Sequence, residues 1–367
     1  MRVVFAAGGT GGHIYPALAL ARHLRAAGEK EIQFIGTDRG MEKDIIPAEG
    51  FALQKIPVIG LERRLSVQMG RAVFLAGAGV MSARRLLAAF RPDVVVGTGG
   101  YVAGPVVLAA YLSRIPTVIH EQNAIPGLTN VILSRLAGRV CLSIPGSEAY
   151  FPRRARLELT GNPRASEAML ALQQENMVGL PLRPGVPVLL CVGGSHGAAK
   201  LNELFSQSVE KVLSDCDVQV VYVTGPRYFD ELQQRLQNAL VRFPHRLYLI
   251  PYHANLPGLL AKASLVISRA GATTLAEITA LGVPALLLPS PNVTNNHQEH
   301  NARMLSDQGA AVLLPEDSLD RNRLTCILCD LLQNPVRLRE MAAASRLLGF
   351  PDAAGHMAAL LYDVCGK

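Results

Sequence analysis

The sequence predicts an α/β protein of two Rossmann-like domains, each a doubly wound parallel sheet, facing a central cleft. Three observations predict it. The chain has 367 residues, too many for one ordinary core. Short apolar runs alternate with helical patterns along its length, as strands buried on both faces of a parallel sheet require. A glycine-rich loop follows the first apolar run of each half, at residues 7–13 (AGGTGGH) and 192–198 (VGGSHGA). A third such loop lies at residues 97–105 (GTGGYVAGP).

In the first half the expected strands are residues 3–7, 32–36, 94–97 and 117–120. Residues 14–27 are rich in Ala, Leu and Arg and read as a helix, with Gly28 as its left-handed stop. In the second half the expected strands are residues 188–192, 218–224, 247–250, 265–268 and 285–288. Turn residues cluster at 160–163 (TGNP), which marks the linker. Ligands of open parallel sheets bind at the carboxyl ends of the strands, so the loops there are the candidate sites.

Composition narrows the partners. Net charge is +7, and residues 1–165 hold 20 Lys and Arg against 11 Asp and Glu, whereas residues 166–367 hold 16 against 18. The basic half suits a phosphate-rich ligand or an anionic membrane surface. Nucleic acid is not expected: aromatics are 5%, Trp is absent, and no zinc-finger or RNP-like motif occurs. No apolar run reaches membrane-spanning length and no secretory pattern is expected at the start. Six scattered cysteines fit reduced thiols in a cytoplasm. Cys326 and Cys329 form a lone C-x-x-C inside a helical apolar pattern, and core positions are expected for both rather than metal ligation. Residues 61–85 mix Leu65, Val67, Met69, Val73, Phe74, Leu75 and Met81 with Arg63, Arg64, Arg71, Arg84 and Arg85. That mixture suits docking on an anionic membrane or packing on its own domain.

Each motif has rival readings. In GGTGGH, glycines let backbone N–H groups converge on an anion at a helix start. A dinucleotide fingerprint there breaks at Ile14, although Asp38 stands where a ribose acid belongs. A plain tight turn is the third reading. Residues 193–197 (GGSHG) satisfy G-x-S-x-G, a hydrolase nucleophile elbow on Ser195, with Asp230 and His297 as possible partners. The matching first loop has Thr10 at its centre, which an elbow does not predict. In SRAGATTLAE, a strand ends at Ser268 and a helix runs over 272–281. Thr273 and Thr274 then lie at the helix start, where free N–H groups hold a diphosphate. Glu277 follows on the same side, placed for ribose hydroxyls. His120, Glu121, Gln122 and Asn123 end a strand and are expected to point into the cleft.

Together and in order, GGTGGH, GGYVAGP, HEQN, GNP, GGSHGA, SRAGATTLAE and NNHQEHNA resemble the MurG family over nearly the whole chain. These are membrane-associated N-acetylglucosaminyltransferases of GT-B architecture that complete lipid II in peptidoglycan synthesis. The resemblance implies a cofactor-free, metal-independent, inverting hexosyltransferase. It would move GlcNAc from UDP-GlcNAc to the C4 hydroxyl of MurNAc in undecaprenyl-diphosphoryl-MurNAc-pentapeptide, lipid I. Residues 1–162 would be the acceptor and membrane-associating domain, 163–348 the UDP-GlcNAc domain, and 349–367 a helix returning to the first. For the donor it implies Ser195 in the glycine loop, Ile250 at the uracil and Ala272, Thr273 and Thr274 at the diphosphate. Glu277 would hold the ribose and Gln298 the sugar hydroxyls, with Thr10, Gly11, Gly12 and Asn123 reaching in from the first domain. For the acceptor it implies His13, Gly99, Gly100, Tyr101 and Glu121.

His13 and Glu121 compete as general base, His13 being held neutral by its helix start. Arg164 comes one residue earlier than the family's Gly-Asn-Pro-Val-Arg places its arginine, which leaves its reach to the diphosphate open. His196 and His297 stand where glutamine is common. The implied location is the cytoplasmic face of the cell membrane. Related enzymes glycosylate diacylglycerol, so another lipid acceptor is the alternative. A non-catalytic nucleotide-sugar binder is a third class.

Overall fold

The computed structural model describes residues 1–59, 67–172, 179–193, 197–253 and 255–366, with side chains described from residue 75 onward in the helix that begins at Val67. The chain forms two compact units, Met1–Ser166 with Asp352–Lys367, and Glu167–Pro351.

The first unit is built on seven strands: β1 (Arg2–Ala6), β2 (Glu31–Gly36), β3 (Ala52–Lys55), β4 (Val94–Gly97), β5 (Thr117–Glu121), β6 (Arg139–Leu142) and β7 (Leu157–Leu159). Their order is β3-β2-β1-β4-β5-β6-β7, and every pairing is parallel. β1, β4 and β5 are buried along their whole length apart from Arg2, which is why they read as continuous apolar runs.

The second unit has six strands: β8 (Val188–Val192), β9 (Gln219–Val223), β10 (Leu247–Ile250), β11 (Leu265–Ser268), β12 (Ala285–Leu287) and β13 (Ala311–Leu313). Their order, β10-β9-β8-β11-β12-β13, repeats the winding of the first sheet, again all parallel. In each sheet the winding reverses between the first and fourth strands, β1/β4 and β8/β11. The topology therefore sets the loop after β1 beside the loop after β4, and the loop after β8 beside the loop after β11, at the two positions where such sheets open a ligand crevice.

The first helix runs Gly11–Ala26, starting three residues before the expected Ile14. Thr10 keeps an extended backbone (φ −127°, ψ 159°) as its N-cap, so His13 falls in the first turn. The last helix, Ala353–Cys365, packs on this one: Met357, Ala358 and Leu361 share a core cluster with Phe5, Leu18 and Phe34. Tyr362 Oη donates to Glu29 Oε1 (2.9 Å), and the Met1 amino group pairs with the same carboxylate.

One expectation is corrected by the structure, and another lies partly outside the described residues. Cys326 is exposed and Cys329 half-buried, because helix Arg321–Leu332 turns Leu324, Leu328 and Leu331 to the core instead. In residues 61–85, Arg63, Arg64 and Leu65 lie outside the described residues, as do the side chains of Val67, Met69, Arg71, Val73 and Phe74. Of the rest, Met81, Arg84 and Arg85 are exposed on helix Val67–Phe90 and Leu75 is half-buried. Among the described residues no helix is long and apolar enough to cross a membrane.

Candidate active site

At the β1/β4 switch the glycine loop turns from Ala6 to Thr10. Gly9 adopts φ +91°, and the Tyr101 ring lies so close that a Cβ on Gly9 would stand 3.2 Å from its Cε1. Thr10 is exposed and its hydroxyl is 3.3 Å from His13 Nδ1. The imidazole rests against the loop after β4. A Cβ on Gly99 would come within 2.8 Å of His13 Cδ2, and one on Gly100 within 3.2 Å of His13 Nδ1 and 2.6 Å of the Gly8 carbonyl. Gly99 and Gly100 are thus bare because His13 occupies the space. The His13 carbonyl accepts from Thr98 Oγ1 (2.8 Å), so the β4 loop holds this residue at both ends. Gly11 is closely covered by the Tyr15 ring, whereas a Cβ on Gly12 would meet nothing nearer than Thr10 Oγ1 at 3.7 Å. Room for a ligand therefore opens at Gly12, beside Thr10 and His13.

Sequence reasoning missed Glu42. It is fully buried and accepts from Gly9 N–H (3.0 Å), Thr37 N–H (3.1 Å) and Thr37 Oγ1 (2.7 Å). The available signal was the spacing Gly36, Gly40, Glu42: bare positions grouped around one acid.

The HEQN segment does not present four open side chains. His120 and Glu121 are 0% and 2% exposed, and Gln122 is buried beside them. His120 Nε2 lies 2.8 Å from Ser143 Oγ and 3.2 Å from the Gly161 carbonyl, while its Nδ1 faces Gln122 Nε2 at 3.1 Å. Loss of hydration lowers its pKa to about 4, against the Gly161 hydrogen bond that raises it; His13 lowers it further. His120 is therefore a neutral, satisfied core imidazole at pH 7. Gln122 also donates to the Thr98 carbonyl (2.8 Å), which links it to the seat of His13.

The Glu121 carboxylate is fully engaged. Oε1 accepts from Asn123 N–H (3.0 Å) and Asn123 Nδ2 (3.3 Å), and Oε2 from Gly127 N–H (3.1 Å) and Asn130 Nδ2 (2.9 Å). Burial raises its pKa and these four donors lower it, burial being the larger. Such a group closes the loop to Asn130; it is not open for proton transfer with a ligand. The Arg164 guanidinium lies 5.6 Å from the centre of the Tyr15 ring, and its N–H donates to Asn162 Oδ1 (3.1 Å). That side chain belongs to the face of the first helix.

In the second unit, helix Ala272–Leu281 starts directly after β11. Its N-cap is Gly271, no side chain caps it, and a Cβ on Gly271 would meet nothing within 4 Å. Among the described residues nothing covers the first-turn N–H groups, and the positive end of the helix stands behind them. Thr273 Oγ1 is buried and has no hydrogen-bond partner among the described residues. Glu277, one turn further, is 2% exposed. At the end of β10 the Ile250 carbonyl accepts from Thr224 N–H (3.0 Å). Gln298 Oε1 accepts from Ser290 N–H (2.9 Å), tying down a loop in which Asn295 and Asn296 are both left-handed (φ +55° and +49°). Ser195 and His196 lie outside the described residues.

The rival readings lose their supports. Asp230 is exposed and His297 Nδ1 faces the Thr294 carbonyl at 2.8 Å, so neither is arranged as part of a buried acid–histidine pair for an elbow serine. Asp38 is exposed and pairs only loosely with Arg39 (3.7 Å). Among the described residues no three His, Cys, Asp or Glu side chains group as metal ligands do.

Comparison with known proteins bears on the family and the fold. Residues 3–142 match the glycosyltransferase family 28 N-terminal domain and residues 188–357 its C-terminal domain. The chain is 44% identical to a protein of Halalkalibacterium halodurans named UDP-N-acetylglucosamine–N-acetylmuramyl-(pentapeptide) pyrophosphoryl-undecaprenol N-acetylglucosamine transferase, over 99% of both chains. A Lactiplantibacillus plantarum protein of the same name is 42% identical over 99% of both. Among solved structures, Acinetobacter baumannii MurG superposes with TM-score 0.77 at 31% identity, covering 99% of each chain. A Neisseria meningitidis UDP-GlcNAc 2-epimerase bound to UDP-GlcNAc shares the fold at TM-score 0.68 and 16% identity, over 99% of this chain and 100% of that one.

Proposed function

We propose, from the premise that this chain belongs to the MurG family of N-acetylglucosaminyltransferases, how its own residues carry out the reaction. The enzyme transfers GlcNAc from UDP-GlcNAc to undecaprenyl-diphosphoryl-MurNAc-pentapeptide, giving the disaccharide lipid of peptidoglycan synthesis. The observation that carries the assignment of the donor site is the uncapped start of helix Ala272–Leu281 with the unpartnered hydroxyl of Thr273.

The UDP diphosphate sits on Ala272, Thr273 and Thr274, with Glu277 taking the ribose hydroxyls, Ile250 beside the uracil and Gln298 at the sugar. The family resemblance implies Ser195, Thr10, Gly11, Gly12 and Asn123 as further donor contacts, while Arg164 stays beside Tyr15. Negative charge develops on UDP as it leaves. The N–H groups and the helix dipole stabilise that charge in a fixed orientation, the task a metal ion serves elsewhere.

The acceptor binds the first unit beside Gly99, Gly100 and Tyr101, with Glu121 holding the loop to Asn130 behind them. Its C4 hydroxyl attacks the anomeric carbon of GlcNAc from the face opposite UDP. The new C–O bond forms as the bond to the β-phosphate oxygen breaks, the configuration inverts, and the hydroxyl proton passes to His13. His13 is preferred to Glu121 because its imidazole stands beside open Gly12, whereas both oxygens of Glu121 are occupied within the protein. The basic, partly apolar face of helix Val67–Phe90 holds the protein peripherally on the cytoplasmic side of the membrane. Acceptor specificity follows from the first unit, so diacylglycerol is the contrasting substrate to test.

The test is release of UDP from UDP-GlcNAc with and without a soluble lipid I analogue, in EDTA. Acceptor-dependent release that His13→Ala abolishes is expected. Release that needs added metal, or that continues in His13→Ala, overturns the corresponding part of the mechanism.

A further inference from the structure

We infer that Glu42 is a positioning residue for the transfer: through Gly9 it fixes the turn that carries Thr10 and His13, and so places the proton acceptor. The inference rests on the assignment of His13 above.

The argument starts from cost. A carboxylate removed from water is a poor stabiliser even when it is paired, and an apolar side chain of similar size usually serves a core better. Glu42 is fully buried, and its described partners are three neutral donors: Gly9 N–H, Thr37 N–H and Thr37 Oγ1. Three glycines leave space for it. A Cβ on Gly8 would stand 2.7 Å from Glu42 Oε1 and one on Gly36 2.8 Å from Glu42 Cγ, while one on Gly40 would overlap the carboxylate. Two segments, Gly8–Gly9 and Gly36–Gly40, are thus shaped around one acid.

What the acid gains is geometric. Gly9 is the left-handed residue of the turn, and its N–H is the one donor of that turn drawn inward to Glu42. Tyr101 presses on Gly9 from the other side, and the Tyr101 hydroxyl reaches back to Thr37 Oγ1 at 3.4 Å. The turn is therefore clamped between Glu42 and Tyr101. Thr10, the next residue, leaves this clamp in a fixed direction, and its hydroxyl is the described side-chain partner of His13 Nδ1. Release of Gly9 frees Thr10 and with it the imidazole.

The test compares the wild-type protein with Glu42→Gln and Thr37→Val. The first sets an amide N–H₂ against a backbone N–H; the second removes one donor and keeps the shape. Three readouts are taken: kcat with UDP-GlcNAc and a soluble lipid I analogue, the affinity for UDP alone, and the NMR titration of the His13 imidazole. Glu42→Gln is expected to lower kcat per folded molecule about 10- to 100-fold, the scale of a misplaced reacting group. Thr37→Val should lower it about 3- to 10-fold, as loss of one hydrogen bond allows. The His13 resonance should move in both variants, and UDP affinity should change less than kcat, because the diphosphate contacts proposed above are those of helix Ala272–Leu281.

A His13 titration identical to wild type in both variants, or kcat unchanged per folded molecule, overturns the inference. Turnover absent from the wild-type protein, with the His13 resonance still moving in Glu42→Gln, keeps the positioning role and overturns the transfer reaction instead. Should Glu42→Gln not fold, Thr37→Val alone decides by the same criteria.

Discussion

Replacing His120 by glutamine is expected to change how the stability of the first unit depends on pH. His120 is fully buried, and its pKa is lowered from 6.5 to about 4, chiefly by loss of hydration. In the unfolded chain the imidazole titrates near its ordinary value. Between the two values the unfolded chain binds a proton that the folded chain does not. The contribution of this group is therefore fully present above the unfolded pKa, falls as pH drops through the window, and is constant below the folded pKa. At about 1.4 kcal/mol for each pH unit of difference, the loss amounts to about 3 kcal/mol. Glu121, its neighbour, works the other way: burial raises its pKa, so its contribution declines as pH rises above the usual carboxylate value. The wild-type profile mixes both effects. The measurement is therefore a difference, taken from urea melts of wild type and His120→Gln between about pH 7 and about pH 4. The advantage of wild type should shrink by about 3 kcal/mol across that range. An advantage that stays constant would refute the neutral, buried imidazole and return His120 to the candidates for contact with a ligand.

Three further outcomes follow from the same contacts. Thr273→Val should weaken UDP binding by about 1–2 kcal/mol in calorimetry while leaving stability unchanged or higher, since it deletes a buried hydroxyl that has no partner among the described residues; unaltered UDP affinity would remove Thr273 from the diphosphate site. Gly99→Ala should cost about 1–3 kcal/mol in a denaturant melt and lower kcat, because φ is +99° there and the added methyl group meets His13 at 2.8 Å; wild-type stability would show that the β4 loop yields freely. Removing two charges in Arg84→Ala with Arg85→Ala should weaken co-sedimentation with anionic vesicles by about 2 kcal/mol and leave binding to neutral vesicles unaffected. Equal binding of that variant to anionic vesicles would clear this face of a docking role.

The central strands were legible because a strand buried on both faces must be apolar throughout. All nine expected runs form strands; four match to the residue and the ends of the others shift by one. Four strands escaped, and each lies toward the rim of a sheet. β3 (ALQK) and β7 (LEL) are partly exposed, so polar residues (Gln54, Lys55 and Glu158) interrupt their apolar runs. β13 is three residues long, and β6 opens on Arg139, whose side chain reaches Asp363 on the final helix (3.3 Å). Such strands are set by their neighbours, which a local pattern does not record. Helix Ala272–Leu281 was legible to the residue, since Gly271 and the apolar period mark both its ends. Glu42 was not, because its meaning depends on Gly8 and Gly9, more than thirty residues away in sequence.

The glycine-rich loops show where sequence reading needs the fold. Crowded glycines suggest that a ligand approaches the backbone, yet most of those in the first unit make room for the protein itself. Gly8, Gly36 and Gly40 accommodate Glu42, Gly99 and Gly100 accommodate His13, and Gly11 is covered by Tyr15. Among the described residues, the open positions include Gly12 in the first unit and Gly271 in the second. Both lie at the start of a helix, where N–H groups have no partner in the preceding turn. Gly12 adjoins the imidazole that would take the proton, and Gly271 adjoins the hydroxyl that has no partner. A phosphate site is therefore marked less by the number of glycines than by an empty Cβ position over an uncapped helix. By that criterion Gly271–Thr274 is the proposed seat of the donor diphosphate, while Gly8, Gly9 and Gly11 of GGTGGH make room for Glu42, Tyr101 and Tyr15.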